Sequence, residues 1–213
     1  VSNTIKNNWI SEGPETKKFQ ENYRKFVGTK YAIATTSGTA AIFLALMGAG
    51  IKPGDEVIIP NMTFIATASA VKLAGAKPIL AEVKEDNFTI SIDSIKNKVS
   101  KKTKGIIPVH LNGRSTDFDE LMELAKKLNL KIIEDASQGL GSKYNKKNQG
   151  SMGDVAAFSL APTKIITTGQ GGMITTNNFK IFDTIRKIKD QGRKDKSENY
   201  KMVGYNFKFT DLQ

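Results

Sequence analysis

Short apolar runs alternate along the chain with stretches in which apolar residues recur every three or four positions. The short runs predict buried strands, and the periodic stretches predict amphipathic helices. Alternating strands and helices are typical of βαβ units, so we predict an α/β fold with a mainly parallel sheet. The predicted strands cover residues 31–36, 56–59, 78–83, 104–110, 131–134, 155–160 and 173–176. The predicted helices cover residues 14–27, 38–46, 63–73, 117–128 and 179–189.

Two of these helices carry recognisable end signals. The first begins at Pro14, places Phe19, Tyr23 and Phe26 on one face, and is closed by Gly28. The helix over 117–128 has a capping box at its start and an apolar face that we expect to point inward. The capping box is formed by Asp117 and Glu120, and the apolar face by Leu121, Leu124, Ala125 and Leu128.

The composition removes several classes of protein. The chain has 213 residues, no cysteine and one histidine, His110, so thiolate sites and multi-histidine metal cages are excluded. We interpret His110 as a packed residue at a strand end. No apolar run reaches the roughly 18 residues of a membrane span, and no secretion signal is visible. We therefore expect a cytoplasmic protein without a membrane segment.

The net charge of +11 raises the question of nucleic-acid binding. Only four of the 32 basic residues are arginine, the residue preferred for bidentate contacts to bases. The lysines are spread over most of the chain. This pattern favours a solvated surface that attracts a phosphorylated small molecule over a nucleic-acid-binding module.

In a parallel sheet, ligands bind at the carboxyl ends of the strands, which directs attention to three segments. At residues 36–41 a predicted strand runs into a helix through Gly38. The first amides of such a helix favour an anion, although Ser37 or Thr39 could also serve as an ordinary N-cap. The segment therefore predicts either a phosphate cradle or a simple helix cap.

The second segment ends a strand with Glu134 and Asp135. An aspartate at this position could bind a metal, a ribose or a protonated ring nitrogen, or it could cap the following loop. Few other metal ligands are in view, so we predict no metal site.

The third segment is a loop of small and apolar residues that contains Lys164. In such surroundings a desolvated lysine amine becomes a usable nucleophile, although Lys164 could also be one exposed lysine among many. The following Gly169, Gly171 and Gly172 predict a tight, closely packed turn.

A phosphate cradle, an aspartate for a ring nitrogen and an amine are together what pyridoxal phosphate (PLP) requires. Their order along the chain supports this combination, with Lys164 placed 29 positions after Asp135.

The chain resembles the nucleotide-sugar aminotransferases of the DegT/StrS family, which are fold-type-I PLP enzymes. The resemblance extends over residues 9–213. It is carried by the motifs at residues 9–14, 37–41, 54–60, 63–67, 108–111, 134–136, 158–164 and 204–207.

The resemblance implies a role for each matching residue. Lys164 forms the imine with PLP and then moves protons, and Asp135 pairs with the pyridine nitrogen. The remaining cofactor contacts come from Gln138 beside the phenolic oxygen, from Gly38, Thr39 and Ser159 at the phosphate, and from Phe64 stacked on the ring. Asn206 reaches the phosphate of the partner subunit, which implies a homodimer with shared active sites.

The resemblance also implies the reaction and the domain organisation. An amino group moves from an amino acid, L-glutamate, to a keto-deoxy sugar on a nucleoside diphosphate, for amino-sugar and cell-surface polysaccharide biosynthesis. The local pattern is most similar to the perosamine-synthase type, which aminates C4. Residues 1–13 form an N-terminal arm, and 14–213 form the PLP-binding large domain, truncated before a smaller C-terminal domain.

The sequence departs from the family pattern at two positions, and two alternative functions accompany the resemblance. Gln170 replaces a glutamate that is usual in the family, and Lys208 replaces a common arginine. One alternative is a PLP-dependent sugar dehydratase, which has histidine in place of the imine lysine. The other is a non-catalytic sensor that binds PLP or a nucleotide sugar.

Overall fold

The structure is a computed structural model that describes residues 1–194 and 199–213. The helices are α1 Ser2–Lys6, α2 Pro14–Val27, α3 Gly38–Gly48, α4 Ala66–Leu73, α5 Ile92–Lys98, α6 Phe118–Leu128 and α7 Phe179–Lys189. The strands are β1 Tyr31–Thr35, β2 Glu56–Pro60, β3 Lys77–Ala81, β4 Thr103–Ile106, β5 Lys131–Asp135, β6 Lys143–Tyr144, β7 Lys147–Asn148, β8 Val155–Ser159 and β9 Gly172–Thr176. A short 3₁₀ turn covers Leu111–Gly113.

Seven strands form one twisted layer in the order β1-β9-β8-β5-β4-β2-β3. Only β9 runs antiparallel to its neighbours, and the other six strands share one direction. The carboxyl ends of β1, β2, β5 and β8 therefore lie on the same edge of the sheet. The predicted α/β class with a mainly parallel sheet is confirmed.

Helices cover both faces of the sheet because buried strand residues alternate between the faces. On one face, Ile59 and Ile133 belong to a core cluster with residues of α3, α4 and α7. On the other face, Ile58 and Ile132 pack with residues of α5 and α6. Helix α3 is apolar all round and is buried along most of its length, as expected for a helix at the centre of a core.

Several predicted boundaries shift in the structure. The helix predicted over 63–73 begins at Ala66, and the strand predicted over 104–110 is limited to Thr103–Ile106. Pro108 interrupts that strand because it has no N–H, and pairing resumes only as a bridge between Val109 and Asp135. Helix α5 and the β6–β7 hairpin were not predicted.

The predicted inward position of Leu128 is wrong, and Phe26 is exposed although it was predicted to share a face with the buried Tyr23. Phe26 lies at the end of α2 and is 60% exposed, because Val27, one turn after the buried Tyr23, takes the inward place. Leu128 is 38% exposed because α6 ends at a left-handed Asn129, after which Leu130 is buried instead. The predicted cap is confirmed, since the Asp117 carboxylate accepts from the Glu120 N–H at 3.1 Å.

The arm before α2 is held to the body by two carboxylates. Glu12 accepts from the buried Lys189 Nζ at 2.8 and 2.9 Å, and the same amine donates to the Ala34 carbonyl at 3.0 Å. Burial lowers the pKa of Lys189, and the adjacent Glu12 carboxylate opposes this shift. The pair therefore connects the arm, β1 and the end of α7 at one buried point.

The second carboxylate, that of Asp211, caps the N-terminus of α2 from a distant part of the chain. It accepts from the N–H groups of Gly13, Glu15 and Thr16 at 2.8–3.1 Å and from the Thr16 hydroxyl at 2.6 Å. Burial acts to raise the pKa of Asp211, but these hydrogen bonds outweigh it and hold the pKa below its ordinary value.

We expect Asp211→Ala to lower the free energy of unfolding at pH 7 by about 2 kcal/mol, because it leaves the first donors of α2 without a charged acceptor. The ordinary pKa of the group is 3.8. The stabilisation is therefore complete above that pH and is lost as the pH falls through the lower pKa of the folded state. Urea unfolding at pH 7 and near pH 3 measures both effects. Asp86→Ala, at an exposed loop position, is the control, and equal stability of the two variants at pH 7 would refute the cap.

Candidate active site

A cavity of about 400 Å³ lies at the edge of the sheet where the parallel strands end. It is bordered by the N-terminus of α3 and by the loops that follow β2, β5 and β8. Seven of the eight predicted site residues line it: Gly38, Thr39, Phe64, Asp135, Gln138, Ser159 and Lys164. The eighth, Asn206, is exposed and does not line this cavity.

One wall is formed by the start of α3. The Ser37 hydroxyl caps the helix by accepting from the Ala40 N–H at 3.1 Å. The first intrahelical bond runs from the Ala41 N–H to the Ser37 carbonyl, so the N–H groups of Gly38 and Thr39 precede the helical ladder. The two predictions for this segment, a helix cap and a phosphate cradle, are therefore compatible. Ser37 caps the helix, and the N–H groups of Gly38 and Thr39 remain available to an anion.

Glycine at position 38 is required by a close approach to β8. A Cβ atom on Gly38 would lie 2.7 Å from the Ser159 Cβ and 3.0 Å from its hydroxyl. The absence of a side chain therefore lets the helix amides and the Ser159 hydroxyl converge on one place.

The predicted packing of the glycine-rich turn is confirmed. A Cβ atom on Gly172 would lie 2.2 Å from the Ser37 carbonyl oxygen, and one on Gly171 would lie 2.9 Å from Phe209. Gly169 has a φ of +78°, which favours glycine. The glycine-rich turn thus packs directly against the residue that precedes α3.

Asp135 ends β5 and is 5% exposed. Its Oδ2 accepts from the Thr67 hydroxyl at 2.8 Å, and its Oδ1 accepts from the Ser137 N–H at 3.2 Å. The carboxylate is therefore held at both oxygens while it borders the cavity. The expectation of an edge aspartate that faces the site is met, whereas the contribution of Thr67 was missed because α4 is distant in sequence.

The preceding residue, Glu134, points the other way. It is fully buried and accepts from the N–H groups of Gly150, Met152 and Gly153 at 2.6–2.7 Å. It also pairs with His110 Nε2 at 2.8 Å. His110 is fully buried as well, as expected for a packed histidine, and the pair fixes the loop behind the site.

Lys164 follows β8 in a turn in which its N–H donates to the Ala161 carbonyl at 3.0 Å. The side chain lines the cavity but is only half-buried, and the adjacent Ile165 is 67% exposed. The desolvated environment expected from the sequence is thus not supplied by the described residues of this chain, since they leave the apolar loop at the cavity rim exposed.

The remaining predicted positions lie around the cavity. The Gln138 Oε1 accepts from the Asn112 N–H at 2.9 Å, and Phe64 is 68% exposed at the wall. Gln170 also lines the cavity, whereas Lys208 forms an ion pair with Asp190 at 3.1 Å. Of the two departures from the family pattern, Gln170 is therefore the one placed to contact a ligand.

Residues 1–213 match the DegT/DnrJ/EryC1/StrS aminotransferase family. The chain belongs to this family. Membership confirms the predicted family, and the family is PLP-dependent, as predicted. In the part of the chain that the structure describes, no group of three or more metal-ligating side chains is found, and no helix is long and apolar enough to cross a membrane.

Three similar proteins illustrate the DegT/DnrJ/EryC1/StrS relationship. The GDP-perosamine synthase of Caulobacter vibrioides is 41% identical over 208 residues, 96% of this chain and 56% of that protein. The UDP-4-amino-4-deoxy-L-arabinose–oxoglutarate aminotransferase of Shewanella sediminis is 36% identical over 192 residues, 90% and 49% of the two chains. The crystal structure of NtdA from Bacillus subtilis with bound cofactor PMP has a TM-score of 0.94 at 32% identity, covering 100% of this chain and 48% of that one. The chain spans about half the length of the curated relatives it matches.

We expect Gly38→Ala to weaken PLP binding at least tenfold, about 1.4 kcal/mol, because the new methyl group would push the α3 amides away from Ser159. Fluorescence titration with PLP measures the affinity. Gly54→Ala is the matched control, since Gly54 has a φ of +88° and nothing within 4 Å of the added Cβ atom. It should lose stability through backbone strain and keep its affinity. Wild-type affinity in Gly38→Ala would show that the close approach is not needed for binding.

Proposed function

We propose that the chain is the cofactor-binding part of a PLP-dependent sugar aminotransferase. It would transfer an amino group from L-glutamate to a keto-deoxy sugar carried on a nucleoside diphosphate, in the biosynthesis of amino sugars for polysaccharides. The single observation that carries this proposal is the cavity itself. It brings together a buried carboxylate, an amine and the N-terminus of a helix from three distant segments.

The residues present fit PLP at each of its functional groups. The amides of Gly38 and Thr39 with the Ser159 hydroxyl form a site for a phosphate dianion. Asp135 keeps acceptor capacity on both oxygens for a ring N–H, since each is used by one donor of the chain. The volume of about 400 Å³ lies within the range of about 300–1,000 Å³ that is usual for small-molecule sites.

When bound, PLP supplies a ring that accepts an electron pair from the carbon under reaction. The residues of the chain bind and orient it and handle protons. Asp135 would hold the proton on the ring nitrogen, and Gln138, which also lines the cavity, would contact the phenolic oxygen. Lys164, which lines the cavity, would hold the cofactor through its Nζ, and the same amine would move a proton at the substrate carbon. Phe64, which is exposed at the cavity wall, would stack on the ring.

The names of the relatives support the proposed substrate class. Two of them are named for nucleotide-linked sugars or their products, and the name of the Shewanella sediminis enzyme contains both a 4-amino sugar and oxoglutarate. Oxoglutarate is the keto acid left by glutamate, which supports L-glutamate as donor. Amination at C4 of a 4-keto-6-deoxyhexose is accordingly the proposed reaction.

A homodimer would complete the site. Large apolar side chains are exposed at the cavity rim, including Phe64, Ile65 and Ile165, and such patches are typical of interaction surfaces. Asn206 lies outside the cavity of its own chain, which is compatible with a contact to the partner's phosphate. Covering the rim would also supply the desolvation that Lys164 lacks here. We propose that this assembly acts in the cytoplasm.

Lysine at position 164 favours the aminotransferase over a sugar dehydratase, in which histidine replaces it. A non-catalytic sensor would bind the same ligands without turnover. Conversion of glutamate to oxoglutarate by the complete protein, in the presence of keto-sugar nucleotides, distinguishes an enzyme from a sensor.

We expect Lys164→Ala to abolish the visible absorbance of bound PLP and the borohydride-reducible linkage, because no other lysine lines the cavity among the residues that the structure describes. Absorbance spectra and mass spectrometry after reduction measure both losses in the complete protein. Lys180→Ala, at an exposed position on α7, should behave as wild type. A linkage that persists in Lys164→Ala would overturn the assignment.

Shared active sites make a prediction for mixed dimers. Lys164→Ala and Asn206→Ala subunits, each defective alone, should regain about one wild-type site per heterodimer when coexpressed. One of the two sites then receives both wild-type residues. The amount of borohydride-reducible PLP at limiting cofactor measures the recovery. If both residues act within one subunit, coexpression restores nothing beyond the Asn206→Ala level.

A further inference from the structure

A chain of hydroxyl groups leads from the cavity wall to the buried carboxylate. The Thr67 hydroxyl donates to the Asp135 Oδ2 at 2.8 Å, and the hydroxyls of Thr63 and Thr67 are 2.9 Å apart. Thr67 is fully buried, whereas Thr63 lines the cavity. Neither residue belongs to the set predicted to touch the cofactor.

The direction of these hydrogen bonds follows from proton counting. A hydroxyl has one hydrogen, and an ionised carboxylate can only accept. The Thr67 hydroxyl uses its one hydrogen to donate to Asp135. In the hydrogen bond between the two hydroxyls, Thr63 must therefore be the donor. The whole chain is thus polarised toward the Asp135 carboxylate, and each donor strengthens the next.

The carboxylate depends on Thr67 for its orientation. Its other hydrogen bond from the chain is the longer one, 3.2 Å from the Ser137 N–H to Oδ1. With 5% exposure, Asp135 has little access to water that could replace a lost donor. Two donors on two different oxygens restrict rotation of the carboxylate, and one donor would not.

We propose that Thr67 is a positioning residue that holds the Asp135 carboxylate in the orientation needed to keep the PLP ring nitrogen protonated. Thr63, in turn, fixes the Thr67 hydroxyl. The inference rests on the proposed function, since it assigns Asp135 to the ring nitrogen. It extends that function to a residue of α4 that does not contact the cofactor.

The test compares Thr67→Val, which keeps the shape and loses the hydroxyl, with Thr67→Ser, which keeps the hydroxyl. Thr175→Val is the matched control, because Thr175 is equally buried and donates one hydrogen bond, to the Gly150 carbonyl, away from the cavity. The complete protein is loaded with PLP labelled with ¹⁵N in the ring, and the ¹⁵N NMR signal reports ring protonation. PLP affinity is measured in parallel.

In Thr67→Val we expect the ¹⁵N signal to shift toward the neutral ring and PLP affinity to fall about tenfold, as for the loss of one charged hydrogen bond. Thr67→Ser should restore both, and Thr175→Val should change neither. A wild-type signal and affinity in Thr67→Val would overturn the inference. An equal loss in Thr175→Val would also overturn it, because the effect would then be general destabilisation.

Crystal structures of the cofactor-free variants separate this inference from the proposed function. A rotated Asp135 carboxylate in Thr67→Val and a native one in Thr67→Ser support the positioning role without any cofactor. An unrotated carboxylate in Thr67→Val contradicts it. If wild-type protein forms no borohydride-reducible linkage with PLP, the proposed function fails, and with it the assignment to the ring nitrogen.

Discussion

The close approach of α3 to the ends of β8 and β9 is the contact on which the geometry of the site depends. Gly38 has no room for a Cβ atom against Ser159, and Gly172 has none against the Ser37 carbonyl. A side chain at either place would move the helix start away from the sheet edge. The helix amides would then no longer share a cavity with Asp135 and Lys164. The two glycines thus bring the proposed phosphate site at the start of α3 to the same cavity as Asp135 and Lys164.

Adjacent acids on β5 illustrate how a strand separates structural from chemical roles. Side chains alternate between the faces of a strand, so Glu134 and Asp135 meet different surroundings. Glu134 is satisfied by three backbone N–H groups and His110, all within the protein. Asp135 has one donor on each oxygen and borders the cavity. Only the second acid retains the capacity to bind a ligand.

Structural and chemical roles are also divided between two lysines of this basic chain. Lys189 is buried, but both oxygens of Glu12 and the Ala34 carbonyl use its amine, which anchors the arm. Lys164 is more exposed and lies at the cavity, as its proposed attachment to the cofactor requires. Burial by itself therefore does not identify the lysine proposed to hold the cofactor. What identifies Lys164 is its position after β8, a strand that ends at the edge of the sheet where the cavity lies.

The α/β class, most strands and helices, and the seven predicted residues that line the cavity could be predicted before the structure was known. The class, the elements and the candidates Gly38, Asp135 and Lys164 follow from local signals: apolar periodicity, glycines at tight turns, and polar residues directly after strands. Phe64, Gln138 and Ser159 were assigned through the family motifs. Family motifs added the role of each residue. Boundaries were less accurate where one residue overrides the pattern, as at Pro108, or where a helix end turns, as at Asn129.

The contacts between groups that are distant in sequence could not be predicted and are set by the tertiary packing. Thr67 reaches Asp135 across 68 positions, and Asp211 caps α2 across almost the whole chain. No local pattern encodes such contacts, because they depend on how α4 and the chain ends pack against the sheet. The exposure of Lys164 was likewise a tertiary property, set by what lies over the rim and not by the apolar residues beside it in sequence.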